Sequence, residues 1–158
     1  NSVNDVLGKF VAGSYDIALL AEPVLSKLRI DTEVYIIDLQ AEYQNITGQD
    51  SYPQAGIFIN KSFAKNNKKF ITSFLEKVVE SVDFVNTEKE SASDYYKELN
   101  LLPDFPKQVL VNSIEGSNIG FVNSKDSKKL IEEYFQIIME FNPQLIGGKL
   151  PDDDFYLE

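Results

Sequence analysis

The stretch from Phe10 to Pro23 narrows the fold more than any other part of the sequence. Val3, Val6, Leu7, Phe10 and Val11 recur at helical spacing, which gives a helix one apolar face. Gly13 follows the last of them, where a left-handed cap residue is expected. Ile17 to Ala21 is then a continuous apolar run, the pattern of a strand covered on both faces in a parallel sheet. Pro23 cannot donate to a ladder, so it stops the strand and suits the first turn of another helix. Glu22 is thereby predicted at the carboxyl end of a strand and the amino end of a helix. Open α/β sheets bind their ligands at such a place.

The remaining sequence continues this alternation. Val24, Leu25, Leu28 and Ile30 predict a short helix ending near Asp31, and Val34 to Leu39 is β-branched and aromatic, as strands prefer. A helical segment from Ala41 to Ile46 ends at Gly48, and Gln49-Asp50-Ser51 is a candidate loop or hinge. Ala55 to Ile59 reads as a further buried strand. Asn60 to Val85 becomes strongly amphipathic, with Phe70, Ile71, Phe74, Leu75, Val78, Val79 and Val82 on one stripe predicted to face a core. Helices at Ser91–Leu99 and Lys107–Ile114 are separated by a stiff connector holding Pro103 and Pro106. Ile119 to Val122 predicts a short strand. Asp126 is the expected cap of a last long helix, whose buried face carries Leu130, Ile131, Tyr134, Phe135, Ile138 and Phe141.

Composition removes several classes of function. The 158 residues carry a formal net charge of −10, which argues against nucleic acid or an anionic membrane surface as partner. No apolar run approaches the roughly 20 residues needed to span a bilayer. With neither His nor Cys in the sequence, Ser-His-Asp and Cys-His catalysis and His-ligated zinc are removed. No P-loop or Gly-x-Gly-x-x-Gly fingerprint is present. The sequence therefore predicts no catalytic residue, no metal ligand and no cofactor, and favours a non-enzyme.

The small-residue turn followed by Asp16-Ile17-Ala18 and Glu22-Pro23 also resembles solute-binding proteins of ABC importers, in the nitrate/taurine/sulfonate/thiamine-precursor branch. The order of later motifs is similar over nearly the whole chain. It runs through Tyr52-Pro53-Gln54-Ala55-Gly56-Ile57-Phe58-Ile59, the helix near Phe70 to Val85, Asn118-Ile119-Gly120-Phe121-Val122, and the ending from Asn142 through Gly147-Gly148-Lys149-Leu150-Pro151 to Tyr156. The resemblance implies an α/β fold, the carboxyl-terminal half of a two-lobed type II periplasmic-binding-protein fold. Residues 1–51 would end the second lobe and 52–158 would complete the first, with the amino-terminal half of the protein absent. Such a fragment is expected to expose apolar surface, or to cover it by self-association.

The function implied is an extracytoplasmic component that closes a cleft around a small organic solute and presents it to a membrane permease. A lipoprotein of a Gram-positive bacterium is the expected form. A cytoplasmic sensor domain of a LysR-like transcription regulator and a carboxylate-dependent enzyme are the alternatives.

Five residues are candidates for the ligand: Glu22, Pro23, Tyr52, Gln54 and Asn118. The Glu22 carboxylate could accept hydrogen bonds from an amine, amidine or hydroxyl, as in an aminopyrimidine, or serve as an anion at a helix amino terminus. Tyr52 and Gln54 offer stacking and amide bonds near a hinge, with a polar linker as the alternative. Asn118 could point into a cleft or simply make a turn. Asp152-Asp153-Asp154 is read as a solvated tail, because consecutive carboxylates do not converge on one ion.

Overall fold

Helices form where apolar spacing predicts them. The computed structural model describes residues 3–157. Its helices are α1 (Val3–Val11), α2 (Val24–Asp31), α3 (Leu39–Thr47), α4 (Lys61–Asn66), α5 (Lys68–Thr87), α6 (Lys89–Glu98), α7 (Lys107–Gly116) and α8 (Ser124–Phe141). Short 3₁₀ turns follow at Pro143–Ile146 and Asp153–Phe155.

The boundaries have local causes. Gly13 lies just beyond α1 at φ 70° and Gly48 ends α3 at φ 71°, left-handed positions that glycine occupies without a Cβ penalty. Asp38 caps α3, accepting from the Gln40 amide at 2.9 Å and the Ala41 amide at 3.3 Å. The amphipathic stretch after Asn60 is two helices, not one: Asn60 caps α4, and Asn67 (φ −131°) interrupts the backbone before α5. The cap of α8 is Asn123, whose Oδ1 accepts from the Asp126 amide at 2.9 Å. Asp126 sits inside the first turn, because the helix starts earlier than its apolar face does.

The expected α/β architecture is not what the chain adopts. Among the described residues the regular structure is helical throughout, and no β-ladder forms. The four predicted strands, Ile17–Ala21, Val34–Leu39, Ala55–Ile59 and Ile119–Val122, are non-helical but unpaired, and Leu39 already belongs to α3. The physical reason is that β-propensity records packing against neighbouring strands, and a strand needs a partner to satisfy its backbone. These segments find no such partner, and several of their side chains are bare. Ile17 is 86 % exposed and Tyr35 93 %.

The chain divides into two compact units. The first comprises residues 1–35 and 69–121. Within it α2 packs on α7, α1 on α2, and α6 on α7. Its core consists of Val24 and Leu28 of α2, Ile71 of α5, Ala92 of α6, and Val109, Leu110 and Ile114 of α7. Of the predicted α5 stripe, Ile71 is buried, whereas Phe74 and Val79 remain exposed.

The second unit comprises residues 36–68 and 122–158. It is held by α8 against the Pro143–Ile146 turn, by the Ser124 hydroxyl donating to the Leu157 carbonyl at 2.6 Å, and by an edge-on contact of Phe58 with Phe155. The predicted α8 face is half-buried at Leu130, Ile131, Tyr134, Phe135 and Ile138, and Phe141 is exposed. Tyr156 is the buried aromatic of this unit.

Candidate functional site

In the first unit, Glu22 stands immediately before α2, joined to Pro23 by a cis peptide bond. Pro23 occupies the position before the first helical turn and makes no side-chain cap bond. Glu22 supplies it instead: its Oε2 accepts from the Ser26 amide at 3.0 Å. A carboxylate there complements the exposed N–H groups and the positive end of the helix dipole. The other oxygen is pressed against the end of α7. A Cβ built on Gly116 would lie 2.7 Å from Glu22 Oε1. Gly116 is a neighbour of Glu22 that no local sequence signal singled out. It makes room for the carboxylate.

Asn118 lies beyond α7 at φ 48°, a left-handed position that Asn tolerates better than most residues. Its side-chain amide donates to the Gly116 carbonyl at 3.4 Å, so its contact here is with its own turn.

In the second unit, Tyr52 meets two aromatic residues. Its ring centroid is 4.9 Å from that of Tyr43 on α3, and it stacks on Tyr134 of α8 at 5.7 Å. Tyr43 and Tyr134 complete the triad edge-on at 6.4 Å. Beside them a shallow groove of about 280 Å³ is lined by Tyr43, Thr47, Gln49, Glu133, Gln136, Ile137 and Glu140. Gln49 spans it, donating through Nε2 to Glu133 Oε2 at 2.8 Å. Lys129 lies 3.6 Å from the other Glu133 oxygen. Glu140 has no partner among the described residues. The groove is rich in acceptors, which suits a solute carrying N–H or O–H donors or positive charge. Gln54 is exposed two residues past Tyr52 and joins none of these contacts.

The helical periodicity already placed Tyr134 on an apolar face, but nothing local linked it to Tyr43 and Tyr52. That meeting depends on how α3 and α8 pack. A second depression, of about 490 Å³, is lined only by the consecutive residues Arg29 to Val34 at the end of α2.

The acidic ending is used structurally. Lys61 of α4 pairs with Asp154 and Lys128 of α8 with Asp153, which clasps the tail to two helices. The hydrogen bond from Lys128 holds the Asp153 carboxyl below its ordinary range, and the same bond raises the Lys128 ammonium. Burial pushes the Tyr156 phenol up, with the nearby Glu132 carboxylate adding to the rise. No cluster of three potential metal ligands occurs among the described residues.

No family model matches the chain, and no curated protein matches it. Among solved structures it is similar to a crystal structure at 1.75 Å resolution described as an ABC transporter from Parabacteroides distasonis, with a TM-score of 0.78 and 21 % identity. The likeness is one of fold. It covers 100 % of this chain and 54 % of the other, so the chain spans about half the length of that structure.

Proposed function

We propose that this chain belongs to the solute-binding component of an ABC importer, in the nitrate/taurine/sulfonate/thiamine-precursor branch. The observation that carries the reading is the likeness of fold along the whole chain to a structure described as an ABC transporter. The order of sequence motifs supports the finer assignment to that branch. In this reading the protein works outside the cytoplasmic membrane, anchored to it, catalyses no reaction and delivers its solute to a permease. Among the described residues no helix is long and apolar enough to cross a membrane.

The groove beside the tyrosine triad is the proposed solute contact. Tyr43 supplies a ring and a hydroxyl, Gln49 and Gln136 supply amides, and Glu140 supplies an unpaired carboxylate. The solute it fits is small and donor-bearing, with an aminopyrimidine as the working probe and nitrate and taurine as anionic controls. Titration calorimetry of the complete protein is expected to detect the aminopyrimidine and neither anion. Glu140→Gln is expected to weaken binding about tenfold, the loss of one charge-assisted hydrogen bond. Anion binding that survives Glu140→Gln, with no aminopyrimidine binding, would overturn this site.

A further inference from the structure

The segment after α3, which the sequence presents as a loop or hinge, is tied down along its length. Gly48 turns the chain at φ 71°, and the Gln49 backbone amide donates to Thr47 Oγ1 at 3.2 Å. Two glutamines of α3 then hold Asp50. Gln40 Nε2 donates to its carbonyl at 2.6 Å, and Gln44 Nε2 to its Oδ1 at 2.9 Å. Gln49 is thus anchored by the backbone on either side of it. Its half-buried side chain is anchored as well, because Nε2 donates across the groove to Glu133 Oε2 at 2.8 Å. A glutamine held this way has given up its rotamer freedom before any solute arrives, which lowers the entropy cost of binding.

The chemistry of Glu133 decides which end of that amide is left over. A carboxamide has a donor end and an acceptor end, whereas an ionised carboxylate only accepts. Gln49 must therefore turn its NH2 toward Glu133, whose other oxygen lies 3.6 Å from Lys129. The Gln49 Oε1 remains, and it accepts no hydrogen bond among the described residues. Both Gln49 and Glu140 line the groove, so each offers a solute acceptor oxygen.

We propose that Glu133 is a positioning residue that sets Gln49 as a pure acceptor. The groove thereby selects a pyrimidine with an exocyclic amine over one whose exocyclic group only accepts. This rests on the solute-binding reading of the groove and adds to it the edge that the solute has to show. An exocyclic amine donates to Gln49 Oε1. An accepting group at the same place sets two oxygens face to face. Gln49 can relieve them only by turning its amide over, which breaks its bond to Glu133 and points its own oxygen at the carboxylate. The mismatch costs about fivefold in affinity, the scale of one hydrogen bond between neutral groups.

Titration calorimetry with 4-aminopyrimidine and 4-methoxypyrimidine tests it, beside side-chain amide NMR of the protein without solute. The unaltered protein is expected to prefer the amine by at least about fivefold. In Glu133→Gln the Gln49 amide faces a group that both donates and accepts, so it turns freely and the preference shrinks by about fivefold. Gln49→Met removes the acceptor at unchanged net charge and is expected to shrink the preference equally, which separates the acceptor pattern from the charge lost in Glu133→Gln. The Gln49 NH2 signals, identified by their loss in Gln49→Met, are expected to shift in Glu133→Gln with no solute present. Equal affinity for the two pyrimidines, a preference unchanged in either variant, or NH2 signals unmoved by Glu133→Gln would overturn the inference and leave the groove as a solute site. Binding of neither pyrimidine by the unaltered protein would overturn the solute-binding reading and this inference with it.

Discussion

Replacing Gly116 with alanine tests the contact between α7 and the residue before α2. An added Cβ would stand 2.7 Å from Glu22 Oε1, 3.2 Å from Cγ and 3.3 Å from Cδ, all inside ordinary van der Waals contact. Gly116 is not in the left-handed region, so the backbone itself accepts alanine. Alone, the change would favour the folded helix by about 0.5–1 kcal/mol, the usual Gly-to-Ala gain. The carboxylate has to give way, however, because it is the flexible partner. Swinging it aside loses the bond to the Ser26 amide at 3.0 Å, and such a cap bond contributes about 0.5–2 kcal/mol.

The two effects oppose each other, so the informative quantity is their coupling. Urea unfolding of Gly116→Ala, Glu22→Ala and the double variant measures it. Gly116→Ala is expected to be neutral or to destabilise by about 1 kcal/mol with Glu22 present, and to stabilise by about 0.5–1 kcal/mol once Glu22 is gone. A coupling of about 0.5–2 kcal/mol follows. Equal effects of Gly116→Ala in both backgrounds would refute the packing argument and free Glu22 from the capping role.

Further outcomes are expected elsewhere. The Ser93 hydroxyl is fully buried and has no hydrogen-bond partner, so Ser93→Ala should raise stability by about 1 kcal/mol in the same assay. Asp38→Ala removes both cap bonds of α3 and should cost about 1 kcal/mol, read as faster exchange of the Gln40 and Ala41 amides. The Tyr156 phenol titrates above its ordinary value, because burial disfavours its phenolate. Since its folded pKa lies above the ordinary 10.0, the stability it contributes is complete below that pH and lost as pH rises through the higher value. Absorbance at 295 nm should show a delayed step that Tyr156→Phe removes. Asp153 acts in the opposite direction. Its folded pKa is lowered by Lys128, so its contribution is present above the ordinary carboxylate value of 3.8 and lost as pH falls through the lower folded one. Asp153→Asn should flatten the acid limb of a thermal-midpoint profile.

What the sequence by itself determined is the helices and their stops. Period-3.6 spacing and the stops at Gly13 and Gly48 act within a few residues and appear in place, whereas the caps Asp38, Asn60 and Asn123 are not read from the sequence, which puts Asp38 in a strand and the cap of α8 at Asp126. The sequence also bounded the chemistry, since a chain without His or Cys has few catalytic options. It placed Glu22 before a helix, as the structure does, and at the end of a strand, which does not form; it also noted that an anion there serves the helix as readily as a ligand.

Only the tertiary structure decided the rest. Whether Ile17–Ala21 or Ala55–Ile59 becomes a paired strand depends on a partner far away in sequence or outside it, and local propensity carries no information about that partner. The Glu22–Gly116 contact and the meeting of Tyr43, Tyr52 and Tyr134 likewise join residues on different elements. A residue's type and spacing set the conformation of its own turn. Which distant side chain it touches is set by how whole helices pack.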